Sequence, residues 1–261
     1  MNGPPEFEIV CEIEPPTRPD LTHVRHQIGV LSSVASTFLI PDNHIGRATV
    51  SSVAVAHEVE QMGGRAIACL NARDRNLLGL RRDLLTAAAY GVDQFLFVYG
   101  DRPSSGARTG QLTVRSMIDE LRAFPSASAP RGRGFRVGVA AGSGPLPQWK
   151  DEADYLFAQV QFSLDDLLRW RSQTRFDGPV YAGIMVVPST TMARKISADI
   201  QQLSVPDTWL DAIENDPDAG VRLACDLVID IKESGAFDGV HLIPVSRYRS
   251  VAAELEQRLA Q

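Results

Sequence analysis

Residues 7–16, Phe-Glu-Ile-Val-Cys-Glu-Ile-Glu-Pro-Pro, form a short apolar run that ends in acidic residues and two prolines. Residues 7–13 have the composition of a buried β-strand. An open dinucleotide-binding sheet would need a glycine-rich turn directly after its first strand, and residues 12–16 contain no glycine. The opening segment therefore favours a closed α/β barrel over an open, doubly wound sheet.

Seven further runs of this kind follow, and longer stretches of helical periodicity separate them. Their residues are nearly all apolar, as expected for parallel strands that are buried on both faces. Eight such units in 261 residues match the size of one TIM barrel. We therefore predict an α/β fold, a single (β/α)8 barrel domain over residues 1–261. The predicted strands cover residues 7–13, 36–40, 65–70, 94–99, 135–140, 154–160, 179–185 and 239–243.

The helical segments differ in length between the strands. Ser163 begins a capping-box-like pattern just after the sixth strand, which predicts that a helix starts there. Residues 188–203 and 209–235 predict two helices in an enlarged seventh connection, with prolines and aspartates between and within them.

The composition excludes several classes of protein. The net charge of −6 gives no overall electrostatic attraction for nucleic acid or anionic lipid. No apolar run reaches the ~18 residues of a membrane span, and the first residues lack the pattern of a signal peptide. Three widely spaced cysteines suit reduced thiols. We expect a cytoplasmic enzyme with a small-molecule substrate and no nucleic-acid or membrane partner; the sequence leaves a homo-oligomer open.

In a TIM barrel the chemistry lies at the carboxyl ends of the strands, so the strand assignments also predict the site. Glu12 and Glu14 share an orientation at the end of the first strand, because successive strand residues point to opposite sides. A carboxylate in a partly desolvated barrel mouth is suited to general-acid catalysis. Each strand-end carboxylate could instead cap a helix, and for Asp74 we expect a cap of the third helix. His23 and His26 indicate a helix face rather than a metal site, so no metal is predicted.

Six short motifs follow one another along nearly the whole chain, and all six fall on the predicted strands. They are Cys11-Glu12-Ile13-Glu14-Pro15-Pro16, residues 70–76 (Leu-Asn-Ala-Arg-Asp-Arg-Asn), residues 98–103 (Val-Tyr-Gly-Asp-Arg-Pro), residues 153–159 (Ala-Asp-Tyr-Leu-Phe-Ala-Gln), Ala182-Gly183-Ile184-Met185, and the closing stretch from Gly239-Val240-His241-Leu242 to Ser246-Arg247. Each motif alone has weak specificity, but the six in this order resemble the methylenetetrahydrofolate reductase family.

The resemblance implies reduction of 5,10-methylenetetrahydrofolate to 5-methyltetrahydrofolate. It assigns Glu12 as the general acid that protonates N10, Asp101 as the charge that stabilises the developing cation, and Gln159 as a hydrogen-bonding partner of the folate. Arg247 would contact the substrate, and Glu14 and Gln161 complete the expected substrate contacts.

The departures from the family pattern lie at positions that contact flavin in the family. Cys69 replaces a histidine, Tyr99 replaces an arginine and Thr113 replaces a tyrosine, while residues 140–145 lack the aromatic residue and histidine of the family motif. We therefore expect no FAD, with NADH or NADPH as a direct hydride donor. The predicted dinucleotide contacts are Asn71, Tyr99, Gly100, Gly142 and Gly144.

Three alternatives remain open from the sequence. The chain could be an FAD-dependent reductase of the same family with altered flavin contacts. It could be a folate-dependent methyltransferase or demethylase, for which the sequence shows no ligand cluster. It could also be a folate-binding partner subunit without activity. The presence of Glu12, Asp101 and Gln159 together argues against this alternative, because an inactive barrel has no reason to keep all three.

Overall fold

The computed structural model describes residues 7–43, 46–101, 109–125, 130, 134–142, 144–199 and 203–260. Eight parallel strands pair in the order of the sequence, and the eighth pairs with the first to close a barrel. The predicted (β/α)8 fold is confirmed. The strands are β1 Glu8–Glu12, β2 Thr37–Ile40, β3 Arg65–Asn71, β4 Gln94–Val98, β5 Arg136–Ala141, β6 Tyr155–Val160, β7 Val180–Met185 and β8 Gly239–Ile243.

Helices cover the outside of the barrel. The helix after β6 begins as predicted, because the Ser163 hydroxyl accepts a hydrogen bond from the backbone N–H of Asp166 (3.4 Å). The helices are α1 Thr22–Leu31, α2 Ser52–Gln61, α3 Leu77–Ala89, α4 Val114–Ala123, α5 Leu164–Gln173, α6 Thr190–Asp199, α7 Asp207–Asn215, α8 Ala219–Ser234 and α9 Tyr248–Leu259.

Two connections depart from the regular pattern of one helix after each strand. Between β5 and β6 the described residues contain one short 3₁₀ helix, Gln148–Glu152, and no α-helix. The seventh connection holds three helices, so the prediction of two was wrong. The chain turns between α7 and α8, where the Asp216 carboxylate accepts a hydrogen bond from the N–H of Asp218 (2.9 Å) and Pro217 supplies no N–H for a helix.

The core has two layers, one inside the barrel and one between the strands and the helices. Val10 belongs to the inner layer with Leu39, Ile67 and Phe157, whereas Cys11 belongs to the outer layer. Because successive strand residues alternate, the side chain of Glu12 points to the inside, as Val10 does. The fold therefore places a carboxylate at the inner rim of the barrel mouth.

Candidate active site

Glu12 is the last residue of β1, and its carboxylate is largely enclosed. It pairs in register with Leu39 of β2, and its side chain is 13 % exposed. The inner apolar layer lies beneath it, and the open carboxyl end of the barrel lies above it. A carboxylate in this position can meet a substrate in the mouth while most of its surface is shielded from water.

His241 of β8 is a functional candidate that the sequence analysis did not select. Its Nε2 lies 3.3 Å from Oε2 of Glu12. The ring is buried, with its edge against Phe157 at a centroid distance of 5.4 Å, and Nε2 makes no hydrogen bond. The signal was present in the sequence: a histidine alternates with Val240 and Leu242, so it faces inward while they face the helices.

Gln159 lies at an irregularity in β6. Phe157 pairs with Tyr181 and Val160 with Gly183, so β6 has one residue more than β7 over this stretch. Such a bulge bends the strand and changes the direction of a side chain, which is common beside active sites. Gln159 is half-buried at the carboxyl end of β6, on the opposite side of the mouth from β2 and β3.

Asp101 follows β4 and is exposed at the mouth. Gly100, which precedes it, has a φ of +96°, and a Cβ there would lie 2.9 Å from the Cβ of Asn71. Only glycine fits this turn without strain. The hydrogen bond from Arg73 to Asp74 raises the pKa of the Arg73 guanidinium, and Asp101 adds to this effect. Arg73 is buried, and its Nη1 has no hydrogen-bond partner in the described structure.

Asn71 is fully buried and bonded within the protein. Its side-chain N–H donates to Asp42 (2.7 Å), and its carbonyl oxygen accepts from the N–H of Asp74 (2.9 Å). Arg75 bridges Asp42 and Asp83 beside it. Burial lowers the pKa of Arg75, but the two carboxylates outweigh this and raise it. This network fixes the loop after β3, and because Asn71 is fully buried, a dinucleotide could contact its side chain only if this loop moved.

The expectation that Asp74 caps the third helix is wrong. Asn76 is the N-cap of α3, and its side-chain oxygen accepts from the N–H of Gly79 (2.8 Å). Asp74 instead receives two hydrogen bonds from Arg73, both at 2.7 Å. The bond from Arg73 is the main reason that the pKa of Asp74 is lowered.

The three predicted substrate contacts lie around the mouth at different depths. Glu14 lies beyond the end of β1 and is exposed, so it does not share the enclosed position of Glu12. Gln161 is half-buried, and its N–H donates to the carbonyl of Gly183 (3.0 Å). Arg247 lies at the start of α9, with Nη1 3.4 Å from a carboxylate oxygen of Asp218.

The loop after β5 is open. A Cβ added to Gly142 or Gly144 would meet no atom within 4 Å, so the protein itself does not require glycine there. The indole N–H of Trp170 donates to the carbonyl of Gly142 (3.0 Å), and Lys150 donates to that of Ala140 (2.6 Å). These two contacts fix the backbone of the loop, while Gly142 and Gly144 themselves stay exposed.

The three residues that we predict to replace flavin contacts have no cationic side chain. Tyr99 is half exposed just past the end of β4. Cys69 is buried inside the barrel; burial raises its pKa well above the usual range, and the charges of Glu12 and Asp42 act in the same direction. Thr113 caps α4, where its hydroxyl accepts from the N–H of Ser116 (3.1 Å).

Two residues with an unusual backbone conformation follow β2 and β8, the strands on either side of β1. Asn43 (φ +49°) follows β2 and Val245 (φ +52°) follows β8; among the described residues they are the non-glycine residues with positive φ. A β-branched residue is rare in this conformation, and such outliers are frequent at functional sites. Both lie at the carboxyl end of the barrel, beside the strand that carries Glu12.

Metal chemistry has no obvious site in the described part of the chain, where no group of three or more His, Cys, Asp or Glu residues could hold an ion. His23 and His26 lie on one face of α1, and each ring makes an edge-to-face contact with the Tyr248 ring at centroid distances of 5.6 and 5.9 Å.

Of the helices described, none has the length and apolar character needed to cross a membrane.

Comparison with solved structures shows the barrel fold alone. The spore cortex-lytic enzyme SleL of Bacillus cereus is 11% identical, with a TM-score of 0.55 over 96% of this chain and 74% of that one. A GH18 chitinase from Pseudoalteromonas aurantia is 12% identical (TM-score 0.50; 97% and 99% covered). The tryptophan synthase alpha chain of Legionella pneumophila is 12% identical (TM-score 0.50; 98% and 92%). These identities are too low to transfer a function.

Comparison by sequence points to one family. A search of curated proteins found no match. Residues 148–258, from the 3₁₀ helix to α9, match the family model of methylenetetrahydrofolate reductase, and this match supports membership of the chain in that family.

Proposed function

We propose that the chain reduces 5,10-methylenetetrahydrofolate to 5-methyltetrahydrofolate, with NADH or NADPH as the direct hydride donor and without flavin. The family match supports a folate-related reductase, and the matched range includes Gln159, His241 and Arg247. The enclosed carboxylate of Glu12 at the barrel mouth is the observation that best supports the reaction. Hydride transfer to this substrate needs an acid at that place, because the ring must open first.

Glu12 would act first, as the proton donor. Protonation of N10 allows the bond between N10 and the methylene carbon to break, and its electron pair stays on N10. The methylene carbon becomes part of an iminium ion with N5, which is the acceptor for hydride. No step requires a carbanion or a thiol. The acid Glu12 and a bound hydride donor are therefore sufficient for the reaction.

Asp101 and Gln159 would act on the substrate from other sides of the mouth. Asp101 follows β4, three strands away from β1 in one direction, and Gln159 is on β6, three strands away in the other. A fixed carboxylate stabilises the cation that forms as the ring opens. The amide of Gln159 can both donate to and accept from the pterin. Glu14, Gln161 and Arg247 would complete the substrate contacts.

The residues present do not fit a flavin. Tightly bound phosphates are usually held by charge-assisted hydrogen bonds from arginine or similar donors. The side chain of Tyr99 is uncharged, the Cys69 thiol is buried, and the Thr113 hydroxyl is engaged in capping α4. Each lost contact of this kind costs about 1.5–3 kcal/mol, so two or three losses weaken binding by orders of magnitude.

The dinucleotide would occupy the space that the flavin occupies in the family. Tyr99 offers a half-exposed aromatic ring next to the turn at Gly100, and there is open space beside Gly142 and Gly144. Asn71 lies directly below this turn. A nicotinamide held here would face a pterin held between Asp101 and Gln159, so the hydride would move directly between the two.

Thiol-based methyl transfer receives little support from the site. Burial is the main cause that raises the pKa of both Cys11 and Cys225 to about 12, and the pKa of Cys69 is also well above its usual range. A metal-activated thiolate would need a ligand cluster, and the described residues contain none.

The cytoplasmic location and the single domain over residues 1–261 remain predictions, as does a homo-oligomer.

The experiment is an assay of the purified protein for oxidation of NADH and NADPH with and without methylenetetrahydrofolate. We expect oxidation that depends on the folate, 5-methyltetrahydrofolate as product by mass spectrometry, and a colourless protein. Glu12→Gln is the matched control, since it keeps the shape of the side chain and removes the acid. Folate binding without turnover would contradict an enzymatic function, and yellow protein with near-stoichiometric FAD would identify a flavin-dependent member.

A further inference from the structure

The proposed reaction does not use the buried imidazole of His241. His241 lies inside the barrel with an 11 % exposed side chain, and its Nε2 is directed toward Glu12 at 3.3 Å without a hydrogen bond in this geometry. A buried ring nitrogen without a partner costs free energy, so such a group is expected to gain a partner in a working state. The nearest candidate is the carboxyl group of Glu12.

The strand residues in register with His241 supply no polar side chain that could replace Glu12 as its partner. On β7 the residue in register with His241 is Gly183, and on β1 it is Val10, so neither supplies a polar side chain. Phe157 of β6 packs against the ring.

Three further titratable groups belong to the inner layer among the described residues, and none competes for the proton. The Tyr155 hydroxyl of β6 donates to the carbonyl of Phe95 (2.6 Å), and burial raises its pKa well above the usual range. The Cys69 thiol of β3 stays protonated, because burial and the charge of Glu12 raise its pKa. The Tyr181 hydroxyl of β7 donates to Glu8 (2.6 Å) at the opposite end of the barrel. Burial is the main cause that raises the pKa of Tyr181, so it also stays protonated.

We infer that Glu12 and His241 share one exchangeable proton, and that His241 is a positioning residue that acts through Glu12 to keep the acid loaded. This inference rests on the proposed function. In the resting site the proton is on either the carboxyl group or the imidazole, and both forms have the same total charge.

The proton balance of one turnover follows from this arrangement. Glu12 gives its proton to N10, and the pair is left as a carboxylate and a neutral imidazole. A proton from solvent then returns to the pair at Glu12, on the side of the mouth, and is shared with His241 across the 3.3 Å gap. The net uptake is one proton per hydride transferred, as the overall reaction requires.

The first test compares His241→Phe and His241→Gln with the wild type, and Tyr181→Phe is the control from the same layer of the barrel. We expect both His241 variants to lose about tenfold or more in kcat, less than the ~10²–10⁴-fold of a lost general acid. The KM for the folate should stay within about twofold, because His241 acts through Glu12 rather than on the substrate.

The pH profile separates this role from mere packing. Activity needs the protonated acid, so it falls as pH rises. Without His241 no second group helps to hold the proton at Glu12, so we expect this limb of the profile to lie at lower pH in the His241 variants than in the wild type. Tyr181→Phe should keep the wild-type profile. His241 variants with a normal profile and a normal kcat, or with a changed KM alone, would overturn the inference.

The second test does not depend on activity. Long-range ¹H–¹⁵N spectra report the protonation of each ring nitrogen, and His241→Phe identifies the signal among the 5 histidines. We expect Glu12→Gln to shift the His241 signal toward the neutral form at a pH at which the wild type is partly protonated. An identical His241 titration in both proteins would refute the shared proton even in an active enzyme. The expected shift in an inactive protein would refute only the proposed function.

Discussion

Gly183 of β7 lies directly against the backbone of Ala158 in β6: a Cβ on Gly183 would be 2.6 Å from the Ala158 carbonyl oxygen and 2.9 Å from the nitrogen of Val160. The close approach occurs where β6 gains its extra residue. The glycine therefore makes room for the bulge that positions Gln159. Backbone atoms on both strands would have to move to accept any side chain here.

Gly183→Ala should consequently reduce the free energy of unfolding by about 1–3 kcal/mol, the usual cost of overpacking. It should also lower kcat, because the bulge beside Gln159 must shift. Urea unfolding followed by circular dichroism measures the first effect. Gly144→Ala is the control, since its Cβ would meet open space. Equal stability of the two variants would show that the bulge adjusts freely.

Glu12→Gln should reduce kcat by about 10²–10⁴-fold, the usual scale for a lost general acid. The amide keeps the shape of the side chain, so the dissociation constant for the folate should change by less than about threefold. Steady-state kinetics and a binding titration measure the two quantities. Near-normal turnover would move the acid to Glu14 or Asp101.

Asp101→Asn should lower kcat and raise the KM of the folate only modestly, because the charge stabilises the cationic transition state more than the bound substrate. Initial rates over a range of folate concentrations separate the two effects. A variant that loses affinity but keeps kcat would instead identify Asp101 as a residue that only positions the substrate.

The three thiols should resist alkylation in the folded protein. Burial raises the pKa of Cys11 and Cys225 to about 12 and that of Cys69 well above its usual range, so all three remain protonated at pH 8. Mass spectrometry after iodoacetamide treatment should show little modification of native protein and complete modification in urea. Rapid labelling of native Cys69 would show that the barrel interior is accessible and would weaken the case against thiol chemistry.

The sequence predicted the strands well and the connections poorly. Every predicted strand agrees with an observed one to within one residue at each end, because buried parallel strands are nearly continuous in apolar residues. Pro217 and its flanking aspartates indicate a turn, but the helical periodicity of apolar residues continues on both sides of them. We therefore predicted one helix where the structure has two, α7 and α8. Between β5 and β6, where a strand–helix unit was also predicted, the described residues form the short 3₁₀ helix Gln148–Glu152 and no α-helix.

Side-chain partners were harder to predict than strand positions. Asp74 and Asn76 both suit an N-cap, and the choice of Asn76 depends on Arg73, which binds Asp74 instead. His241 was overlooked because its partner, Glu12, is 229 positions away in the chain, and only closure of the barrel between β8 and β1 brings them together. Pairings across the closure point are not visible in local patterns.

The most direct test of the central claim follows the hydride itself. The protein as purified is incubated in ordinary water with NADH carrying deuterium at both C4 positions and with methylenetetrahydrofolate, and the product is analysed by mass spectrometry. Direct transfer predicts that nearly every methyl group of 5-methyltetrahydrofolate carries one deuterium. A flavin would receive the deuterium at a nitrogen that exchanges with water. Methyl groups largely free of deuterium would therefore contradict direct transfer.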